Sequence, residues 1–336
     1  MSNTRITLAC RNYDRTQAII RGLVKIPGID LHVIEMSDVP KMFTGLFKGE
    51  FDASEMSLAE LVYYASRNQN DFIGIPVFPS RMFRHGFLFY NTASGIRSPG
   101  DLAGKRIGFP RLTQTACIWI RGILVEEYKV SAKKTRWYAT SLHHWEDAHF
   151  KDELKPQDGS QIQWLEKRRD GDNDSAELAL MEGSIDALGT TQPPSAFLQG
   201  DKKVKRLFEN YQAVEAAYFK KTKIFPIMHV LAVQKSVVVN HPDLPRELFQ
   251  LFLHSKRLAN EWLRMDPSLR LAWKNHYLDL EREIFHGDPW TDGLEANAHV
   301  IDKFLSYCYE LGVSARKMHP KELFHPGTWD LTEAEG

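Results

Sequence analysis

Arg81, Arg84 and His85 stand close together in Ile75-Pro-Val-Phe-Pro-Ser-Arg-Met-Phe-Arg-His-Gly86, where an apolar run enters a proline-punctuated loop. A guanidinium fork meets a carboxylate through two parallel hydrogen bonds, so Arg81 and Arg84 are candidate anion clamps. His85 adds a group that titrates near neutral pH. The alternative for this loop is a solvated basic turn. Phe51-Asp-Ala-Ser-Glu-Met-Ser57 places Glu55 and Ser57 at a strand end. Ser57 is either a ligand contact or the N-cap of the next helix, with Glu60 as its capping-box partner. Glu55 is harder to explain structurally and is a candidate base or hydrogen-bond acceptor. Gly108-Phe-Pro-Arg-Leu-Thr-Gln-Thr-Ala116 lies between a strand and a helix. There, Thr113 and Thr115 either line an anion site with the free helix N–H groups or cap the helix.

Three further spots carry polar chemistry. His229, in Phe225-Pro-Ile-Met-His229, enters a strand and is either a core histidine or a site residue. Asp288, in His286-Gly-Asp-Pro-Trp290, is a catalytic candidate or the residue that orders its turn. His143-His-Trp-Glu-Asp-Ala-His149 is metal-like in composition, but it matches no HExxH or related ligand spacing. No metal site is therefore expected. Nor does the chain contain a GxGxxG or Walker pattern, a GxSxG elbow or a kinase set.

The elements that must position these residues alternate strand and helix. Ile6–Cys10, Leu31–Glu35, Phe51–Glu55 and Phe72–Phe78 read as strands, with helices at Thr16–Leu23, Val39–Lys48 and Leu58–Ser66 between them. Such spacing predicts parallel βαβ units. Asn91–Gly100 is a turn-rich connector, after which the pattern restarts with a strand at Arg106–Phe109 and a helix at Thr115–Tyr128. Tyr211–Phe225 leads back to a strand at His229–Gln234, and long helices follow at Arg246–Met265 and Gly293–Leu311. The expected architecture is α/β in two lobes. Residues 1–90 and 229–336 form the first lobe and 91–228 the second, joined by two crossings, with ligand in the cleft near the C-terminal ends of the strands.

Bulk properties narrow the function classes. The 336 residues suffice for about two domains, and 43% hydrophobic with 26% charged residues is ordinary for a globular protein. Lys+Arg and Asp+Glu each number 43, so no general attraction for nucleic acid or anionic lipid is expected. Cys10, Cys117 and Cys308 are too few and too scattered for a disulfide framework. The first ten residues lack an apolar leader and no run approaches a membrane span, so a cytoplasmic protein is expected. The aromatic-rich C-terminal third fits either core packing or a homo-oligomer interface.

Read together, the pieces resemble the 4,5-dihydroxyphthalate decarboxylase family. The resemblance rests on Ile6-Thr-Leu-Ala-Cys-Arg-Asn-Tyr-Asp-Arg-Thr16, Phe51–Ser57, Pro76–His85, Trp119-Ile-Arg-Gly122, Gly183-Ser-Ile-Asp-Ala187, Phe225–His229, Gly287-Asp-Pro-Trp290 and Gly293-Leu-Glu-Ala-Asn297, in order from end to end. Phe109–Thr113 and the stretch from His143 to Arg169 depart from the family's pattern. The resemblance implies a type II periplasmic-binding-protein-like fold, akin more distantly to solute-binding proteins for sulfonates. It also implies decarboxylation of a hydroxylated aromatic acid, with the ring as electron sink and no cofactor. On that expectation Arg81 and Arg84 clamp a carboxylate and His85 donates the proton. Glu55 or His229 handles the ring hydroxyl, while Thr113, Thr115, Ser57 and Asp288 add contacts. The rival expectation is a non-catalytic binder using the same arginines to hold a small anion.

Overall fold

The computed structural model describes residues 4–141, 154–168, 171–265 and 271–333. Eleven strands are described: β1 (Thr4–Cys10), β2 (Ile29–Glu35), β3 (Ala53–Ser57), β4 (Phe72–Arg81), β5 (Leu88–Asn91), β6 (Arg106–Arg111), β7 (Arg136–Ser141), β8 (Ile162–Trp164), β9 (Ala187–Gly189), β10 (Val204–Arg206) and β11 (Ile227–Gln234). They form two sheets, ordered β2-β1-β3-β11-β4 and β10-β5-β9-β6-β7-β8. The chain divides into two compact units. The first comprises Met1–Arg81, Ile227–Asp302 and His319–Gly336, and the second Met82–Pro226 and Lys303–Met318.

In the first unit β1 pairs in parallel with β2 and β3, as the alternating pattern predicts. The core is made by Ile6, Leu8, Ile75, Val77, Leu231 and Val233 from the strands. Against them lies the amphipathic helix Leu244–Met265, whose Leu244, Leu248 and Phe252 recur at helical spacing on one buried face. One strand departs from the parallel expectation: β11 runs antiparallel to both β3 and β4. The cause is covalent. The chain leaves at the C-terminal end of β4 and re-enters beside it, with Ile227 opposite Arg81. The returning strand must therefore run the other way.

In the second unit β6 pairs in parallel with β7 and β9, while β5 and β10 run antiparallel at the other side. Ile107, Phe109 and Trp137 pack against Cys117, Ile120 and Leu124 of the helix Thr115–Glu127. Two boundaries differ from the sequence reading. The first crossing falls after Arg81, because β5 pairs only within the second sheet. The segment Lys303–Met318 also belongs to the second unit, so the chain crosses four times, once within the helix Leu294–Glu310.

Packing around Trp119 explains that second difference. Its ring lies 5.3 Å from Phe304 and 5.7 Å from Tyr307, and the Tyr307 hydroxyl donates to Glu126 at 2.5 Å. Gly122 sits one helical turn further on, where a Cβ would overlap the Tyr307 ring. Gly122→Ala should therefore cost about 1–3 kcal/mol through overpacking, read as a lowered Tm in thermal unfolding. An unchanged Tm would show that this contact is loose.

Candidate active site

The antiparallel course of β11 decides what meets at the edge of the first sheet. His229, near the start of β11, lies opposite Ser57 at the C-terminal end of β3 and opposite Ser80 near the C-terminal end of β4. Strand β3 reads Ala-Ser-Glu-Met-Ser and is wholly buried, although three of its five residues are polar. Buried polar groups require partners. Ser54 finds one in the Glu55 carbonyl at 2.9 Å. Oε1 of Glu55 accepts the Tyr13 hydroxyl at 2.8 Å and faces Nδ1 of His229 at 2.5 Å. Its Oε2 is buried with no hydrogen-bond partner among the described residues.

Burial by itself pushes the Glu55 carboxyl up. The hydrogen bond and charge of His229, joined by the Tyr13 hydroxyl and Arg15, outweigh it and leave the group below its ordinary value. The Tyr13 hydroxyl moves up, through burial and the adjacent Glu55. Glu55 is thus an ionised acceptor at neutral pH, and it faces Nδ1 of His229. The His229 side chain keeps 18% of its surface exposed, with its ring edge against Phe43. A carboxylate-backed imidazole of this kind can take a proton from an acidic hydroxyl and later return it. Arg15 completes the group. Its guanidinium lies 4.1 Å from the centres of both the Tyr13 and Trp290 rings, and Nε donates to the Pro79 carbonyl at 2.6 Å.

The second unit gathers cations instead. Arg84 is buried, and burial lowers its guanidinium to about 10. The Cys117 thiol, pushed up to about 12 by burial, feels the charges of both Arg111 and Arg84. Both charges thus act on Cys117, in the first turn of the helix Thr115–Glu127. Arg111 is steadied by Asp172 at 3.2 Å, which also accepts the Ser141 hydroxyl at 2.9 Å. Thr113 and Thr115 are buried there, with Gln114 at the N-cap position between them. Two guanidiniums with a helix N-terminus suit a carboxylate.

Other expected residues take different places. The guanidinium of Arg81 is buried and donates to the Thr291 carbonyl at 2.7 Å and to Asn297 Oδ1 at 2.5 Å. It ties β4 to residues 291–297 rather than presenting its fork to a ligand. His85 is enclosed by Tyr128, Phe208 and Tyr218, and neither ring nitrogen has a hydrogen-bond partner among the described residues. Burial lowers it to about 4, so at neutral pH it has no imidazolium proton to donate. Asp288 is exposed and orders its turn, accepting from the Trp290 N–H at 2.8 Å and from Asn260 at 3.1 Å. Ser57 occupies the N-cap position without a side-chain cap bond, so the capping box with Glu60 does not form. The histidine-rich stretch His143–His149 lies outside the described residues.

A cavity of about 320 Å³ in the first unit is lined by Arg15, Lys256, Asn260, Glu281, Asp288 and Trp290 among others, and does not reach Glu55 or His229. Its Lys256 is already held by Asp292 at 2.9 Å and by Glu333.

A protein of Comamonas testosteroni named 4,5-dihydroxyphthalate decarboxylase is 36% identical over 333 residues, covering 98% of both chains. The chain belongs to the 4,5-dihydroxyphthalate decarboxylase family. A second protein with that name, from Pseudomonas putida, is 29% identical over 221 residues, 66% of this chain and 83% of its own length. The named members of the decarboxylase family are carboxy-lyases, and the chain is an enzyme of that class. No family model matches it. Among solved structures, the periplasmic aliphatic sulphonate binding protein SsuA of Escherichia coli superposes with a TM-score of 0.55 at 13% identity, covering 96% of this chain and 92% of its own. The CA3427 gene product of Candida albicans, described as having the generic periplasmic binding protein fold, gives 0.52 at 11% identity, covering 97% and 98%. This decarboxylase-family chain therefore has the periplasmic-binding-protein fold.

Tyr13 and Arg15 stand beside Glu55, and Arg111 ends β6, without a motif of their own to mark them. Each follows or ends a parallel strand, where open α/β sheets carry their ligands, and that rule was the signal available. The neutral packing of His85 has a measurable consequence. Its folded value lies below the ordinary 6.5, so the unfolded chain binds the proton more readily. Stability is then fully present above pH 6.5 and declines as pH falls through that window towards 4, by up to ~3 kcal/mol. Thermal melts from pH 7 to 4 should show this component, and His85→Phe should remove it. An unaltered acid slope in the variant would contradict the assignment.

Proposed function

We propose that this family member decarboxylates a hydroxylated, phthalate-like aromatic acid, with the ring as electron sink and no organic cofactor. The observation that carries the reading is the buried Glu55 carboxylate against the partly exposed His229 imidazole. His229, backed by Glu55, takes the proton of a ring hydroxyl. The oxygen's electron pair moves into the ring and makes the carbon bearing the carboxylate basic. That carbon gains a proton, the bond to the carboxylate breaks, and CO2 departs as aromaticity returns. The imidazolium then reprotonates the phenolate oxygen, and the proton that replaced CO2 comes ultimately from solvent. Within the second unit Arg84 and Arg111, with Thr113, Thr115 and the helix N-terminus, suit carboxylate negative charge, and within the first Ser57 lies beside His229. Support comes from the relatives' name and from this chemistry at the strand ends.

The test is CO2 release from 4,5-dihydroxyphthalate and a panel of hydroxylated benzoates. His229→Asn and Glu55→Gln should each lower kcat by roughly 10²–10⁴, the usual range for loss of a general acid–base group, with little change in KM. Tight binding of the whole panel with no CO2 released would replace the enzyme reading with solute binding. Wild-type kcat in both variants would remove the pair from the chemistry.

A further inference from the structure

Glu215 is a buried carboxylate that the proposed chemistry does not use. It lies on the helix Tyr211–Thr222, and its Oε1 accepts the Gly86 N–H at 3.1 Å. The His85 N–H also bonds to this carboxylate. The other side of the Gly86 peptide is held by Arg206, whose Nε donates to the Gly86 carbonyl at 2.8 Å. Arg206 is fixed in turn, with its guanidinium over the rings of Tyr211 at 4.6 Å and Phe197 at 5.0 Å. A Cβ at Gly86 would press on the Tyr211 ring at 3.0 Å, so the turn lies tight against the helix that carries Glu215. The turn begins at Arg84, whose carbonyl accepts the Phe87 N–H at 3.1 Å, and the Glu215 charge acts on the Arg84 guanidinium.

We infer that Glu215 is a positioning residue, which holds the Arg84–Phe87 turn so that Arg84 meets the substrate carboxylate. The inference rests on the proposed role of Arg84. The charged and titratable groups around Glu215 are Arg84 and His85 on the turn, Arg206 on β10 and Tyr128 beyond the helix Thr115–Glu127. An uncharged amide would also accept the turn's N–H groups. The carboxylate adds a negative charge beside Arg84 that opposes a bound anion. Burial raises Glu215 to about 7, so that charge is removed as pH falls through neutrality. The hydrogen-bond acceptor survives protonation. Wild-type KM for an anionic substrate therefore decreases as pH falls through about 7.

The experiment compares kcat and KM for 4,5-dihydroxyphthalate from pH 5.5 to 8.5 in wild type, Glu215→Ala, Glu215→Gln, Arg84→Ala and the double variant Arg84→Ala/Glu215→Ala. Glu215→Ala should raise KM roughly tenfold with kcat within about twofold, since it removes binding and not chemistry. Glu215→Gln should keep the low-pH wild-type KM at every pH, without the step near 7. In the Arg84→Ala background, Glu215→Ala should change KM no further. A wild-type KM in Glu215→Ala, or a retained step in Glu215→Gln, overturns the inference. Should Glu215→Ala fail to fold, the Glu215→Gln profile decides alone. If Arg84→Ala leaves KM unchanged, the clamp role of Arg84 has failed. If it raises KM while the Glu215 variants behave as wild type, only the positioning role has failed.

Discussion

The contact between Glu55 and His229 is the constraint on which the site depends. A carboxylate with 1% of its side-chain surface exposed is costly unless its charge is answered, and a partner 2.5 Å away supplies the answer. The answer is incomplete. Tyr13 and His229 both address Oε1, which leaves Oε2 buried and without a partner among the described residues.

The surroundings maintain that asymmetry. Tyr13 is held from behind by Arg15, which stacks between it and Trp290 and is anchored on Pro79. Trp290 belongs to a segment fastened by a buried network. Lys256 donates to the Trp290 carbonyl at 2.7 Å and pairs with Asp292, which accepts the Phe78 N–H at 2.7 Å. Arg81 adds its bonds to Thr291 and Asn297. Arg81, expected from the sequence to clamp a carboxylate, is thus part of the frame behind the Glu55–His229 pair. A rigid frame has a chemical purpose, because proton transfer requires donor and acceptor within hydrogen-bond reach.

Within the second unit the same division of labour recurs. Arg84 and Arg111 carry the positive charge, while Asp172, Glu215 and Arg206 hold them or their backbone in place. SsuA, which shares the fold, is a sulphonate binding protein. On the proposed reading, the carboxylate-backed imidazole of this chain supplies the proton chemistry.

The sequence by itself determined the elements, the two α/β units and the strand-end loops that carry chemistry, because hydrophobic period, turn residues and loop position are local properties. It also singled out Glu55, since a carboxylate in a short strand with no capping role calls for a partner without any knowledge of neighbours. The sequence left His229 open, as core histidine or site residue, and only the tertiary structure shows it facing Glu55. Those two residues are 174 positions apart. They meet because β11 returns beside β4 and must run antiparallel, which brings its first residues to the C-terminal ends of its neighbours. The same physics demoted Arg81 and His85. Whether a guanidinium or an imidazole faces a ligand or its own protein depends on partners distant in sequence, here Asn297 for one and a cage of aromatic rings for the other.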